Sequence, residues 1–306
     1  MDSMTAWLMA ISAAFATGIS FEEVKCPYGD GPVRKYHKVS GNTHGGYDSD
    51  LAVYSTRGQF REHAISTCPS NYFSTMGSDL DMVVPTSKSK DIDAAIEASR
   101  RTWSDRDNPE VWERYDTAAR IARVLSRDPL TIAEMYLNAS WTARDKAVGV
   151  YVGGLNGPTA ARKILTMGKA EFAKDLTPED EKVLRYNLAR VAHRGGFSAE
   201  RDVHIDAYLR LDSLTDGERA AGLQLRHIAR EIEPALQAHA ILALQEALSM
   251  DGPPIKLARA RYQLADLQRR LGQFDTARRN FLLVKQSERA PKELKELASF
   301  LMVEAQ

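Results

Sequence analysis

Apolar residues recur at helical spacing through the second half of the chain, with Arg, Glu or Asp between them. This spacing places the apolar side chains on one face of an α-helix and the charged side chains on the other. Two stretches carry the pattern most clearly: Val111, Tyr115, Ala118, Ala119 and Ala122, then Leu184, Leu188 and Val191. We therefore predict surface helices of a layered helical stack in residues 86–306.

Proline and hydroxyl residues mark helix starts in this region. Proline fits the first helical turn because the N–H that it lacks would have no partner there. Thr177 with Asp180, and Thr215 with Glu218, pair a hydroxyl with a carboxylate that can cap free amides. The glycine-containing loop at 153–157 is predicted to connect two helices. The dipeptides that indicate starts are Asn108-Pro109, Asp128-Pro129, Gly157-Pro158 and Thr177-Pro178.

Residues 17–85 have a different pattern, because glycines interrupt the sequence too often for long helices. Short aromatic-bearing stretches alternate with turns, and Asp30-Gly31 is a hairpin signal. We predict a small module of short β-strands that contains Cys26 and Cys68, with a polar boundary at 85–91. The predicted fold class is mainly α: a tetratricopeptide-like stack of antiparallel helix pairs after a small β-rich, ribbon-like module.

One helix pair matches the tetratricopeptide repeat, a unit of about 34 residues. Gly272 is predicted to allow a tight turn, Ala277 a close helix approach, and Phe274 and Phe281 to fill the groove between neighbours. A weaker match to the same repeat lies at residues 186–197. One repeat cannot bury its own apolar face, so several stacked pairs are expected. The matching positions are Leu264, Ala265, Gly272, Phe274, Ala277 and Phe281.

The N-terminal residues 1–16 have the features of a signal peptide. An apolar run from Met4 to Ala16 is too short to span a bilayer, and Ala14-Phe15-Ala16 resembles a signal peptidase site. The run is preceded by Asp2 and by no Lys or Arg, which leaves an N-terminal amphipathic helix as the alternative. The first interpretation predicts a periplasmic or secreted protein, and the second a cytoplasmic one.

Composition limits the classes of partner. The 306-residue chain has 41 Lys and Arg against 41 Asp and Glu, and its mean hydropathy is −0.38. A duplex-tracking protein would have a basic excess, so we predict no nucleic-acid partner and no membrane span. A protein or peptide partner is predicted, and a homo-oligomer is compatible with the sequence.

The two cysteines are compatible with three chemical states: zinc ligands, a disulfide or free thiols. Cys26-Pro and Cys68-Pro stand where a zinc ribbon would have Cys-x-x-Cys knuckles, but Gly29 and Asn71 replace the second sulfurs. Zinc would need two histidines in addition, and an oxidising compartment would instead favour a Cys26–Cys68 disulfide. Free buried cysteines are the third state. The alternative ligand set for zinc is Cys26, Cys68, His37, His44 and His63.

These motifs resemble an uncharacterised bacterial family that pairs a Cys-x-x-Cys ribbon with tetratricopeptide-like helices. The resemblance covers residues 26–286 and includes Tyr47-Asp-Ser-Asp50, Ala139-Ser-Trp-Thr-Ala-Arg144 and Arg269-Arg-Leu-Gly272. The paired loss of one cysteine per knuckle suggests a ribbon that exchanged its metal for a disulfide.

Other polar groups are weaker candidates. Asp48 with Asp50, and Asp79 with Asp81, are predicted to accept backbone N–H bonds rather than hold a cation. Glu62-His63 and Asp202 with His204 form acid–base pairs without a nucleophile motif, so no catalytic residue is predicted. Trp103, Trp112 and Trp141 are predicted core residues. Three arginine doublets are predicted to be solvated or to face an acidic partner: Arg100-Arg101, Arg269-Arg270 and Arg278-Arg279.

Two functions follow from the sequence. The favoured one is a non-enzymatic, exported interaction scaffold that binds a peptide or protein in a helical groove and requires no cofactor. The alternative is a cytoplasmic regulatory or catalytic protein that binds zinc through a degenerate ribbon.

Overall fold

The computed structural model describes residues 18–56, 58–148 and 155–305, so the predicted signal peptide lies outside the described residues. Two small antiparallel sheets form the N-terminal part: β1 (Ile19–Lys25) with β2 (Pro32–Lys38), and β3 (Ile65–Thr67) with β4 (Ser74–Met76). The β1–β2 connection spans residues 26–31, longer than the two-residue turn that Asp30-Gly31 suggested. Gly29 and Gly31 both have positive φ there. The small β module is confirmed.

Helices dominate the rest of the described chain, which confirms the mainly α fold class. Their bounds are α1 (Ser89–Arg100), α2 (Val111–Val124), α3 (Pro129–Val148), α4 (Gly157–Glu171), α5 (Pro178–Gly195), α6 (Ser198–Leu209), α7 (Asp216–His227), α8 (Glu233–Leu248), α9 (Pro254–Arg270), α10 (Phe274–Gln286) and α11 (Lys292–Glu304). A π-helical turn, Ile228–Ile232, joins α7 to α8.

Most predicted helix starts are confirmed. Pro129 and Pro178 begin α3 and α5, and Pro158 is the second residue of α4. Thr215 and Glu218 cap α7 reciprocally. The start near Pro109 was placed two residues early, because Glu110 caps α2 by exchanging hydrogen bonds with Glu113.

The helices pack in an order that returns to its starting point. From α3 the contacts run to α8, α9, α10 and α11, then to α4, α5, α6 and α7, and from α7 back to α3. The largest apolar core lies along α2, α3 and α8, and α1 packs beside the β module. This order encloses an interior between α3, α5 and α9, where the candidate site lies.

Four of the six repeat positions are buried, and the other two, Gly272 and Phe274, are exposed. Gly272 makes the α9–α10 turn at a φ of 75°, and Ala277 and Phe281 are fully buried between the two helices. Leu264 and Ala265 are buried on α9. Phe274 does not fill the groove as predicted: it is 39% exposed, because it is the first residue of α10 and stands at the turn end of the helix pair.

A disulfide joins the two small sheets. Cys26 follows β1, Cys68 follows β3, and their Cα atoms lie 5.9 Å apart. Both cysteines are buried in a small core with Ile92 and Ile96 of α1. The core of the β module therefore continues into α1, across the predicted boundary near residue 85.

Candidate functional site

A short hairpin between the two sheets carries the centre of the candidate site. We call residues 45–54 the tip hairpin. Tyr54 N–H donates to Gly46, Asp48 N–H donates to Ala52, and Leu51 N–H donates to Asp48. Leu51 has a φ of 70°, the left-handed conformation that closes a three-residue hairpin loop. Glycine normally occupies this position, so leucine there stores backbone strain.

The tip of this hairpin enters the interior of the helical domain. Asp48, Ser49 and Asp50 are at most 1% exposed. Gly46 allows the approach, because a Cβ at this position would lie 1.9 Å from the backbone oxygen of Leu155. The structure therefore buries two carboxylates that the sequence placed in a turn, and they need counterions.

Arg144 of α3 and Arg194 of α5 supply the counterions. Arg144 donates from Nη1 to Asp48 Oδ2 at 2.7 Å and from Nη2 to Asp50 Oδ2 at 2.6 Å. Arg194 Nε donates to Asp48 Oδ1 at 2.6 Å, and its guanidinium lies over the Tyr54 ring at 3.7 Å. The two aspartates were predicted to accept backbone N–H bonds, but they mainly bind arginine.

Helix α9 holds the serine between the aspartates. Ser49 Oγ donates to Asp266 Oδ2 at 2.8 Å and accepts from Arg270 Nη2 at 2.7 Å. Tyr262 donates its hydroxyl to the Ser49 carbonyl at 2.7 Å. Three consecutive residues of the tip hairpin are thus bound by helices that lie about 100 to 220 positions later in the chain.

The Arg269-Arg270 doublet is buried, so neither predicted role for it is correct. Arg269 donates to the carbonyls of Gly195 and Gly196, and Arg270 donates to those of His193 and Arg194. These carbonyls end α5, where cations are favourable. Arg101 and Arg279 of the other doublets are exposed.

The ion pair between Arg61 and Asp145 extends the network toward the surface. Arg61 binds Asp145 of α3 through two hydrogen bonds, at 2.6 and 2.9 Å. Glu233 accepts from Arg144 Nε at 3.0 Å. The network then contains five arginines and five carboxylates, so its charge is balanced: Arg61, Arg144, Arg194, Arg269 and Arg270 with Asp48, Asp50, Asp145, Glu233 and Asp266.

Charge pairing outweighs burial at two of these acids, Asp50 and Glu233, whereas burial raises the pKa of Asp145 despite its pairing with Arg61. Burial would raise the pKa of Asp50, but Arg144 and Arg270 hold it well below the usual range. The pKa of Glu233 is also lowered, despite its burial, by Arg144 and His193. His193 itself is buried and its pKa is lowered, although its Nε2 lies 2.8 Å from Glu233 Oε2. Asp50 and Glu233 are therefore ionised and paired with arginine.

The zinc ligand set of the alternative function is not assembled. The disulfide uses the sulfurs of Cys26 and Cys68. His37 contacts Glu22, His44 is exposed, and His63 packs its ring on Tyr36. Among the described residues, no three metal-ligating side chains form a cluster.

The remaining candidates lie apart from the site. Asp79 pairs with Arg127, and Asp81 pairs with Lys35. Asp202 binds Arg201 rather than His204, whose ring stacks on Phe172. Glu62 and His63 are half-buried. None of these pairs joins the tip hairpin.

The predicted core tryptophans differ in their surroundings. Trp103 is buried edge-on against Tyr72, and Trp112 packs beside the main core. Trp141 donates its Nε1–H to Asp50 Oδ2 at 3.1 Å, which makes it part of the site. Arg144 ends the Ala139–Arg144 motif that contains Trp141, but no pattern in the sequence indicates that it faces Asp48 and Asp50.

An open groove lies beside the tip hairpin, between α3 and α9, with a volume of about 520 Å³. We call it the α3–α9 groove. Leu51, Val53 and Trp141 line its apolar part. Arg61, paired with Asp145, also lines the groove. The other charged lining residues are acidic on the α3 side and basic on the α9 side, and they form no ion pair among the described residues: Asp128, Glu134, Lys256 and Arg259.

Comparisons with known proteins add no identity: no family model, curated protein or solved structure matches the chain. The resemblance to the uncharacterised bacterial family stays a prediction. The disulfide is compatible with an oxidising, exported location. Within residues 18–56, 58–148 and 155–305, no helix has the length and apolar character needed to cross a membrane.

Proposed function

We propose that this protein is an exported, non-enzymatic scaffold that binds a segment of another protein in the α3–α9 groove. The observation that carries the proposal is the groove itself, in which apolar residues lie between an acidic rim and a basic rim. Peptide-binding grooves of helical proteins use such apolar anchors with charged flanks. The partner is a segment with apolar side chains, acidic residues toward α9 and basic residues toward α3.

Leu51 supports the assignment, because its strained backbone places a leucine in the groove lining. Strained residues persist where the surrounding structure holds them, and they concentrate at functional positions. Val53, two residues on, is 46% exposed in the same groove. A partner that covered Val53 and Leu51 would bury apolar surface that solvent now contacts.

The ion-pair network supports a non-enzymatic role. Its charges balance, Asp50 and Glu233 are ionised, and Asp48, Ser49 and Asp50 at its centre are buried. The Cys26–Cys68 disulfide supports export, since such bonds persist in oxidising compartments. Intact mass of the protein from its native host, with and without reduction and alkylation, tests this part. Two alkylatable thiols with bound zinc would return the cytoplasmic alternative.

Selection from a random peptide library against the disulfide-intact protein tests the groove. We expect the selected peptides to carry apolar anchors with acidic residues on one side and basic residues on the other. Val53→Asp and Lys256→Glu should each weaken binding of a selected peptide by about tenfold. Arg279→Glu, an exposed charge change on α10, is the matched control and should leave affinity unchanged.

Two results would reject the proposal. One is a set of peptides whose affinity is the same for Val53→Asp, Lys256→Glu and the Arg279→Glu control. The other is a failure to select any peptide from a library that yields ligands for a known helical-repeat domain run in parallel.

A further inference from the structure

A second cleft, of about 270 Å³, opens between the C-terminal end of α5, the start of α6 and the start of α8. Glu233 and Arg270, two members of the ion-pair network around the tip hairpin, line this cleft. Buried charged side chains line it, including Arg201, which is 8% exposed, and Arg270. A cleft with converging polar groups on a rigid frame is the usual form of a small-molecule site.

The π-helical turn Ile228–Ile232 forms one wall of this cleft. Glu233 N–H donates to the Ile228 carbonyl, five residues back, and Pro234 has no N–H to donate. The Ala229 carbonyl, which Glu233 would bind in a regular α-helix, instead accepts from Arg201 Nη1 at 3.3 Å. The irregular turn therefore fixes Arg201 at the cleft, and such turns are frequent at functional sites.

The charges that line the cleft are mostly positive. Arg201, Arg230 and Arg270 line it with a single carboxylate, Glu233. Glu233 is committed elsewhere, because Arg144 and Gln237 bind its Oε1 and His193 lies 2.8 Å from its Oε2. The carboxylate is therefore paired within the protein, and so is Arg270, which donates to Asp266, Ser49 and the end of α5.

Neighbouring acids hold two of these arginines without lining the cleft. Asp202 Oδ1 lies 2.8 Å from Arg201 Nε and 3.4 Å from Arg230 Nε, and Asp206 accepts from Arg230 at 2.8 Å. This arrangement orients both guanidinium groups, as partners of binding residues commonly do. Ser198 adds a hydroxyl to the lining.

We propose that this cleft binds a small organic oxyanion, through a carboxylate or phosphate group held by Arg201 and Arg230. Guanidinium forks match the geometry of both groups. The cleft volume lies just below the usual range for drug-sized ligands, which fits a small metabolite. This site is independent of the α3–α9 groove and stands whether or not the groove binds a peptide.

Calorimetric titration of the full, disulfide-intact chain at constant ionic strength tests the proposal. The probes are succinate, inorganic phosphate and the uncharged diamide of succinate. We expect saturable binding of succinate, of phosphate or of both, and no binding of the diamide. Succinate alone identifies a carboxylate ligand, and phosphate alone identifies a phosphate ligand.

Arg201→Gln and Arg230→Gln should each weaken that binding by about tenfold or more. Arg279→Gln, on exposed α10 surface, is the control and should leave it unchanged. If Arg201→Gln fails to fold, Arg230→Gln remains, because that side chain is 36% exposed. Absence of binding by both anions, or equal binding by Arg230→Gln and the control, would overturn the proposal.

Discussion

At the scale of single residues, Arg144 is the cation that pairs with the most carboxylates in the interior. It is fully buried and binds Asp48, Asp50 and Glu233. A buried ion pair contributes little net stability compared with an apolar pair, but losing one partner leaves an uncompensated charge. The network is therefore most sensitive to substitutions that change one charge.

Asp50→Asn should lower the free energy of unfolding by about 3–5 kcal/mol, because Arg144 would lose a buried counterion. Urea denaturation measures the change. The matched control is Asp81→Asn, whose exposed ion pair with Lys35 should contribute less than about 1 kcal/mol. Equal effects of the two substitutions would contradict the view that burial gives Asp50 its importance.

Gly46 and Gly272 form a matched pair for backbone effects, since their φ angles are 78° and 75°. Alanine at either position incurs a left-handed strain of about 1–2 kcal/mol. Only Gly46→Ala also clashes with the Leu155 backbone, whereas a Cβ at Gly272 meets nothing within 4 Å. We expect Gly46→Ala to be the more destabilising by at least about 2 kcal/mol in thermal unfolding.

At the scale of elements, local signals predicted the helices well. Proline placement and the Thr215–Glu218 capping box act within a single turn, so the sequence alone indicates them. Local signals did not predict the positions of Arg269 and Arg270. A charged doublet on an amphipathic helix normally faces water, and its partners Ser49 and the end of α5 lie about 70 to 220 positions away. No local pattern could pair them.

The prediction that Phe274 fills the groove is wrong for a related reason. A repeat motif specifies spacing along the chain, but burial depends on which helix lies opposite. Ala277 and Phe281 face α9 one and two turns further along α10, whereas Phe274 lies at the helix start.

The Cys26–Cys68 bond closes 42 positions of chain between the two sheets. The double variant Cys26→Ala/Cys68→Ala should lose about 3–4 kcal/mol, mainly because its unfolded state is less restricted. Urea denaturation of this variant and of reduced wild-type protein should give similar midpoints. A variant as stable as the oxidised protein would show that the bond does not stabilise the fold.

At the scale of the whole molecule, the tip hairpin unites two parts that composition separates. The sequence placed a boundary near residue 85, but residues 48–50 are bound by α3, α5 and α9. Without the hairpin, Arg144, Arg194 and Arg270 would each lose an acidic or hydroxyl partner in the interior.

A chain of residues 86–306 should therefore fail to fold cooperatively, although it contains every described α-helix. Circular dichroism during thermal unfolding should show a broad, shallow transition for this fragment and one sharp transition for the disulfide-intact protein. A sharp transition of the fragment near the midpoint of the full protein would contradict this expectation.

Acid should destabilise the fold in two steps. Burial lowers the pKa of His193 and of His204, so the unfolded chain takes up protons first, and stability falls as the pH drops below about 6.5. The lowered pKa values of Asp50 and Glu233 add a second loss below about pH 4. Both signs follow from native groups that bind protons less readily than their unfolded counterparts.

His204→Leu isolates one of these groups, because His204 is 4% exposed and neither ring nitrogen has a hydrogen-bond partner. Urea midpoints at pH 7 and pH 5 should differ less for this variant than for the wild type. His44→Leu, at an exposed position, should keep the wild-type difference. An unchanged difference in His204→Leu would remove His204 from the acid response.

The long sequence separation between the tip hairpin and its partners also determines when during synthesis the interior can form. Ser49 is made more than 200 residues before Asp266 and Arg270, which complete its binding site. A chain that stops before α9 leaves the buried aspartates and their arginines without a finished interior, and such chains are substrates for proteolysis. The binding site of the tip hairpin can therefore be completed only after α9 has been synthesised.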